Sequence, residues 1–171
     1  MVASAADKPF LEAGDIGFGP SGGMKFPPIR VDRVVGDGDT VRIGGTVLTA
    51  HLTPGHTPGC TSWSMQVVAA NGIRRSVLFH CSATVAGQSL VPEAYPGMVA
   101  DFRATFARVG AMRADVLLAN HANFFDLEGR RARQISGDVN AFVDPQVLPA
   151  FNDSLAAAFD AELARQQEAA H

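Results

Sequence analysis

Alternating apolar and polar positions dominate the first half of the chain and predict β-strands. We expect these strands at residues 31–35, 40–43, 46–51, 61–69 and 76–79. Gly-Asp-Gly, Gly-Gly and Asn-Gly sequences separate them, and tight turns of this kind join antiparallel neighbours. The pattern therefore predicts an antiparallel run of strands. A short helical segment at residues 8–12, closed by Gly14, precedes it.

The spacing of apolar residues becomes helical after residue 97. They recur every three or four positions over residues 98–112, which is typical of a helix with one buried side. Residues 115–119 are almost continuously apolar and predict a buried strand. Two more helices are expected, at residues 127–136 and from Asp144-Pro145 onward, and Pro149 could interrupt the second.

This order of elements predicts a single α/β domain over residues 1–171, with one layer of strands and one of helices. An apolar content of 47% is ordinary for a soluble globular protein. The net charge of −3 gives no electrostatic reason to expect nucleic acid or an anionic membrane as a partner. No apolar run is long enough to cross a bilayer.

Two histidines stand where strands end, and they are candidate metal ligands. His56 follows Thr53-Pro54-Gly55, a stiff turn after a strand, and His121 follows the apolar segment 115–119. A metal site needs imidazoles that are already oriented, and such turns leave a side chain little freedom. Either histidine alone is more simply an ordinary loop residue. Two in equivalent positions favour a metal site.

Four segments of the chain resemble the metallo-β-lactamase superfamily, and most of all the third subclass of zinc β-lactamases. They are Phe18 to Pro28, Leu52 to His56, Asn120-His121 and the tail from Asn140 to Pro145. The superfamily's principal metal motif, His-x-His-x-Asp-His, is not found in the 171 residues. The resemblance therefore implies the C-terminal half of the family's αβ/βα sandwich, truncated before residue 1.

The resemblance also implies a chemistry. In the family, one or two zinc ions activate a water as hydroxide, which attacks the β-lactam carbonyl. His56 corresponds to a ligand of the first zinc and His121 to a ligand of the second. A catalytic zinc needs about three protein ligands, so the isolated monomer is expected to bind zinc weakly and to be weak or inactive unless another chain completes the site. The alternative is a catalytically dead remnant that serves as a structural or binding domain.

Four side chains are candidate substrate contacts. The resemblance places Ser82 and Thr84 where family hydroxyls bind the substrate carboxylate, although both could instead make local backbone bonds. Met24 and Phe26 lie in a glycine- and proline-rich stretch at residues 14–28. This stretch either lines the substrate groove, as in the family, or only covers the core.

Cys60 and Cys81 flank two strands that are expected to be neighbours, and the resemblance supports a disulfide between them in an oxidising compartment. Zinc ligation by a Cys81 thiolate is the less favoured alternative. Of the other histidines, His51 is expected to bond within its strand end, and His80 to be partly exposed. His171 is terminal, where disorder is common.

The implied truncation has consequences for partners and location. Loss of half of the sandwich would leave an apolar surface and a strand edge in water, which favours a homodimer or larger oligomer. Family members are usually periplasmic. The first residues of this chain lack the order of a signal peptide, so the sequence as written predicts a cytoplasmic location.

Overall fold

Seven strands and four α-helices make up the part of the chain that the computed structural model describes, residues 1–69 and 71–170. The strands are β1 (Val2–Ser4), β2 (Arg33–Val35), β3 (Thr40–Ile43), β4 (Thr46–Leu52), β5 (Thr61–Val68), β6 (Arg74–His80) and β7 (Val116–Ala119). The helices are α1 (Lys8–Ala13), α2 (Met98–Ala111), α3 (Leu127–Ile135) and α4 (Val147–Ala169), with a 3₁₀ turn at Ala122–Phe125. His171, for which disorder was expected, lies outside the described residues.

The main sheet has the strand order β3-β4-β5-β6-β7. Its first four strands are consecutive antiparallel neighbours, which confirms the predicted antiparallel run between residues 40 and 80. β7 instead pairs parallel to β6, with Leu78 opposite Leu117. A parallel neighbour requires a long crossover, and α2 lies within it. The mixed α/β fold predicted from the sequence is confirmed.

The predicted strand at residues 31–35 is wrong in extent and in partner. Only Arg33–Val35 is a strand, and it pairs parallel with β1 in a separate two-stranded sheet. The N-terminal ammonium of Met1 forms an ion pair with Asp32 at 2.6 Å beside this pairing. Local alternation could not indicate a partner about 30 residues away, and three-residue β1 is too short to show a pattern.

Helix α4 also differs from its prediction. It begins at Val147, because Asp144 forms a turn in which its carbonyl accepts from the Val147 amide at 3.2 Å. Pro149 does not interrupt the helix. It lies in the first turn, where backbone N–H groups have no partner within the helix, so proline removes no hydrogen bond there.

Helices α2 and α4 cover one side of the main sheet. Leu78 and Leu117, paired in register, are buried with Val109 of α2 and Leu148 of α4. Further along the two helices, Phe102 and Phe159 pack with ring centroids 5.0 Å apart, a separation typical of favourable aromatic pairs. This packing fixes α2 against α4.

The other side of the main sheet is apolar and incompletely covered. Residues in register point to the same side. The apolar residues on this side are Val41, Ile43, Leu48, Ala50, Leu52, Trp63, Met65, Val67, Val77, Phe79, Val116 and Leu118, and Thr46, Thr61 and Arg75 are polar residues among them. We call it the open face. Ile43 is 67% exposed and Phe79 is 43% exposed, so the described residues leave part of the open face in water. Among the described helices, none combines the length and the apolar character that crossing a membrane requires.

Candidate metal-ligand site

The turn that carries His56 is held by side chains from outside it. Thr105 of α2 donates its hydroxyl to the Pro54 carbonyl at 2.6 Å. The Tyr95 hydroxyl lies 3.1 Å from both the Gly55 carbonyl and an Asp101 carboxylate oxygen. Burial raises the pKa of Tyr95, so the hydroxyl stays protonated and can donate at neutral pH.

Gly55 has a steric reason to be glycine. Its φ is 137°, and an added Cβ would lie 2.8 Å from the Phe102 ring. A side chain there would be strained by the backbone and would clash with the core. The Pro-Gly turn predicted from the sequence is therefore fixed by its packing against α2.

The imidazole of His56 is oriented by Thr84. Its Nδ1 lies 2.8 Å from the Thr84 carbonyl oxygen. A carbonyl can only accept, so Nδ1 carries the proton and Nε2 keeps its lone pair. The backbone carbonyl of His56 accepts from the Gln88 amide at 2.9 Å. This half-buried residue is thus held in the tautomer that a metal ligand requires.

Asp7 fixes the other end of the same turn. Its carboxylate accepts from the Thr57 hydroxyl at 2.9 Å and from the Gly59 amide at 2.8 Å. Burial raises the pKa of Asp7, while these two hydrogen bonds and nearby His56 lower it. An added Cβ at Gly59 would lie 2.0 Å from the Ser4 hydroxyl, so only glycine allows β1 and the Asp7 segment to approach.

His121 is placed differently. It follows β7 as the residue before the 3₁₀ turn, its backbone is extended, and its side chain is exposed. Its ring packs edge-on against Phe124, with centroids 4.9 Å apart. An exposed imidazole after a strand suits the predicted role, but no hydrogen bond from another described residue fixes this ring as Thr84 fixes that of His56.

The described residues do not form a complete metal site. Within residues 1–69 and 71–170, no three side chains of His, Cys, Asp or Glu come together at distances suited to one ion. His56 and His121 therefore fit zinc as individual donors, but the donor set falls short of the three that a catalytic zinc needs.

Ser82 and Thr84 are bonded to each other. Their hydroxyl oxygens are 3.1 Å apart, and the Thr84 amide donates to the Ser82 hydroxyl at 3.4 Å. Ser82 is only 2% exposed, whereas Thr84 is half-buried beside His56. The local bonds considered from the sequence are present, and the substrate role of both residues stays a prediction.

The predicted disulfide between Cys60 and Cys81 is confirmed, with Cα atoms 5.9 Å apart. It joins the residue before β5 to the residue after β6. Because both sulfur atoms are in the bond, Cys81 is not available as a thiolate ligand.

The two remaining described histidines have different outcomes. His51 Nε2 lies 2.7 Å from the Ser64 hydroxyl on the neighbouring strand, which confirms the expected strand-end bonding. The predicted exposure of His80 is wrong, because the residue is 1% exposed beneath Phe151 of α4. Its Nδ1 is buried without a partner among the described residues, and burial lowers the pKa of His80 to about 4.

The glycine-rich stretch at residues 14–28 folds partly onto the core. Phe18 packs edge-on against Tyr95, with centroids 5.4 Å apart, and Phe26 is half-buried. Met24 is 60% exposed, and nearby Lys25 forms an ion pair with Asp15. Phe18 thus supports the covering interpretation. Contact of Met24 and Phe26 with a substrate stays a prediction.

Sequence reasoning missed the residues that hold the His56 turn. Gln88, Tyr95 and Thr105 lie 32 to 51 positions from the carbonyls they contact. No local pattern marks them, because a single polar residue in a loop or helix has no characteristic spacing. Only the turn itself can be recognised from the sequence, by its prolines and glycines.

Comparisons with known proteins identify the fold. No protein-family model matches the chain. The solved structure of BJP-1, a subclass B3 metallo-β-lactamase of Bradyrhizobium japonicum, has 44% sequence identity and a TM-score of 0.90, with 99% of this chain and 65% of that chain covered. FEZ-1 of Legionella gormanii has 34% identity and a TM-score of 0.90, with 97% and 65% covered. A metallo-β-lactamase of Cronobacter sakazakii has 35% identity and a TM-score of 0.86, with 97% and 63% covered.

These structures agree with each other in fold and in extent. The chain spans about 65% of the length of BJP-1 and FEZ-1. Sequence identities of 44% and 34% indicate that the likeness to these two proteins extends to the sequence as well as to the fold. The chain therefore has the metallo-β-lactamase fold and is similar over nearly its whole length to subclass B3 members, consistent with their carboxyl-terminal part.

Proposed function

We propose that this chain provides the His56 and His121 ligands of a zinc-dependent site for β-lactam hydrolysis. The observation that carries the proposal is the hydrogen bond from His56 Nδ1 to the Thr84 carbonyl, which leaves Nε2 free to bind. Orientation of a ligating imidazole through its other nitrogen is typical of metal sites. Zinc in such hydrolases serves to activate water near neutral pH.

The chain alone should be a poor enzyme. Two histidines are fewer than the usual ligand set, and the described residues contain no group of three His, Cys, Asp or Glu side chains that could hold one ion. We therefore propose that activity requires ligands from another polypeptide segment. In the completed site, this chain would supply and position His56 and His121, and the other segment would supply the remaining ligands.

We further propose that Thr84, Ser82, Met24 and Phe26 contribute to the substrate side of the completed site. Thr84 is the best placed, since its hydroxyl lies 3.5 Å from His56 Nδ1. Ser82 acts on the Thr84 hydroxyl through its own bond. The exposed Met24 provides an apolar side chain of the kind that lines small-molecule sites.

Zinc titration combined with a hydrolysis assay tests the main proposal. Isothermal titration of the monomer should show zinc binding no tighter than micromolar, and His56→Ala should weaken it further. The matched control is His51→Ala, which removes an imidazole bonded to Ser64 and should leave zinc binding unchanged. Any nitrocefin hydrolysis should vanish with chelator and in His56→Ala.

Two results would contradict this account. A tight, stoichiometric zinc site in the monomer would mean that other residues complete the ligand set. If instead His56→Ala binds zinc as well as the unchanged chain does, His56 is no ligand. Absence of turnover at every zinc concentration, together with absence of zinc binding, would favour the alternative of a structural or binding domain.

We also propose that the chain associates with a second copy through the open face. The five strands of the main sheet are four to eight residues long, and a sheet of this kind covers roughly 20 Å by 20 Å. A standard interface buries about 800 Å² of accessible surface on each partner. Side chains project from the open face, so its accessible surface is larger than its flat outline. The two areas are therefore of the same order. Identical apolar patches can pair about a two-fold axis. The exposure of Ile43 and Phe79 supports this proposal.

A further inference from the structure

A short segment after β6 connects the His56 turn to the far end of α4. Gln88 lies within this segment, residues 81–97, and donates its side-chain amide to the His56 carbonyl at 2.9 Å. Gln166, near the end of α4, accepts from the Leu90 amide at 2.6 Å and from the Val91 amide at 3.2 Å. It also donates to the Gln88 carbonyl at 3.0 Å. One glutamine therefore holds the backbone of the other.

We propose that Gln88 is a positioning residue for His56 and that Gln166 holds Gln88 in place. The proposal rests on the proposed function of His56 as a ligand. Thr84 and Gln88 belong to the same segment, and they bind His56 at two points, the ring Nδ1 and the backbone carbonyl. With both points fixed, the imidazole has little freedom to rotate or to change tautomer.

The side-chain amide of Gln88 is buried, and only its NH₂ group has a hydrogen-bond partner among the described residues. Gln88 is 5% exposed, and its Oε1 is buried without a partner among the described residues. A buried acceptor without a donor lowers stability. An added Cβ at Gly19 would lie 3.2 Å from that oxygen, so the site is closely packed. The orientation of the amide follows from His56, since only the NH₂ group can donate to a carbonyl.

The contacts of Gln166 make the arrangement long-range. Gln166 lies 78 positions after Gln88, and its side chain is itself held by a bond to Glu162 at 2.7 Å. The side-chain oxygen of Gln166 accepts hydrogen bonds from two backbone amides of the irregular segment that contains Gln88. Without these bonds the segment would be free to shift. The end of α4 thus acts on His56 through Gln88, although it does not touch the His56 turn.

The tautomer of His56 in the metal-free chain tests this proposal. Nitrogen NMR of histidine-labelled protein above pH 8 should show His56 almost wholly protonated at Nδ1. In Gln88→Met the His56 backbone is less firmly held, so the bond from Nδ1 to the Thr84 carbonyl should weaken. The ratio of tautomers should then shift toward Nε2-protonated by about threefold to tenfold, the effect expected when one ordinary hydrogen bond to the ring is lost. Gln166→Met should give a smaller shift in the same direction. The control, Gln167→Met, changes an exposed neighbour on α4 and should give none.

The tautomer ratio of His51, measured in the same spectra, distinguishes a positioning role of Gln88 from a general loss of structure. A structural role alone would lower the melting temperature and disturb His51 as much as His56. The proposal is overturned if the His56 ratio is unchanged in a folded Gln88→Met chain, or if His51 shifts equally. Should Gln88→Met not fold, Gln166→Met decides: an unchanged ratio there also overturns it. No zinc or β-lactam is added, so the result does not depend on whether the chain takes part in hydrolysis.

Discussion

The imidazole of His80 illustrates how packing sets the chemistry of a single residue. It lies on the helix-facing side of β6, with Phe151 of α4 edge-on at a centroid distance of 5.9 Å. Among the described residues, no charged group stabilises an imidazolium here and Nδ1 has no partner. Burial therefore lowers the pKa of His80 to about 4.

We expect His80 to make the folded chain sensitive to acid. Between pH 6.5 and about 4 the unfolded chain binds a proton at this residue and the folded chain does not, so stability rises with pH there. This contribution is fully present above pH 6.5, and about 3 kcal/mol is lost by pH 4. Urea unfolding at a series of pH values measures it. His80→Phe should flatten the dependence, whereas His51→Phe, at a more exposed position, should retain most of it.

Equal pH dependence in His80→Phe and the unchanged chain would show that His80 is not the source. A loss of stability in His80→Phe at pH 8 would not affect that comparison, because only the change with pH is used. Asp7, whose pKa is raised, lies on another element, so its contribution is common to both chains.

At the scale of elements, the β5–β6 hairpin is held both by backbone pairing and by a covalent bond. Its strands pair over six residues, from Trp63 with Phe79 to Val68 with Arg74. The Ser62 hydroxyl accepts from the Cys81 amide at 3.0 Å just beyond the paired residues. The disulfide closes the same end covalently.

Reduction of the Cys60–Cys81 bond should destabilise the chain. The two residues are 21 positions apart, and a closed loop of that size contributes about 3 kcal/mol through the unfolded state. The melting temperature should fall by about 10 °C in reductant. A Cys60→Ser, Cys81→Ser chain is the control and should melt at one temperature in both conditions. If alkylation of the native, oxidised protein modifies both thiols, the bond is absent.

At the scale of the whole molecule, the open face sets the protein apart from an ordinary monomer. Monomers rarely expose a large continuous apolar patch, and here apolar side chains occupy one side of five adjacent strands. The edge strands β3 and β7 add unpaired backbone groups at either border.

We expect the chain to form a dimer or larger oligomer at micromolar concentration. Sedimentation velocity measures the distribution of species, and Ile43→Lys together with Phe79→Lys should shift it toward monomer, since each places a charge on the open face. Val68→Lys is the control, because that residue is 66% exposed and, as the neighbour of Val67 on β5, points to the opposite side of the sheet. A monomer that binds no hydrophobic dye would rule the association out.

Local patterns predicted the elements whose partners are near in sequence. The run from β3 to β6 consists of consecutive hairpins, so alternation and turn residues were sufficient. β1 was missed and β2 was assigned to the wrong sheet, because their pairing joins segments 31 residues apart. The site divides in the same way. The Pro-Gly turn indicated His56, but His80 was expected to be exposed because Phe151, which covers it, lies 71 positions away.

The bond between Cys60 and Cys81 makes residues 60 to 81 a closed covalent ring. A protease that cuts the exposed Asn71-Gly72 turn opens the ring but leaves the two fragments joined. His56 lies just before one end of this ring, and Ser82 and Thr84 lie just after the other. The two segments that approach each other at the candidate site therefore stay tethered even when the hairpin between them is cut.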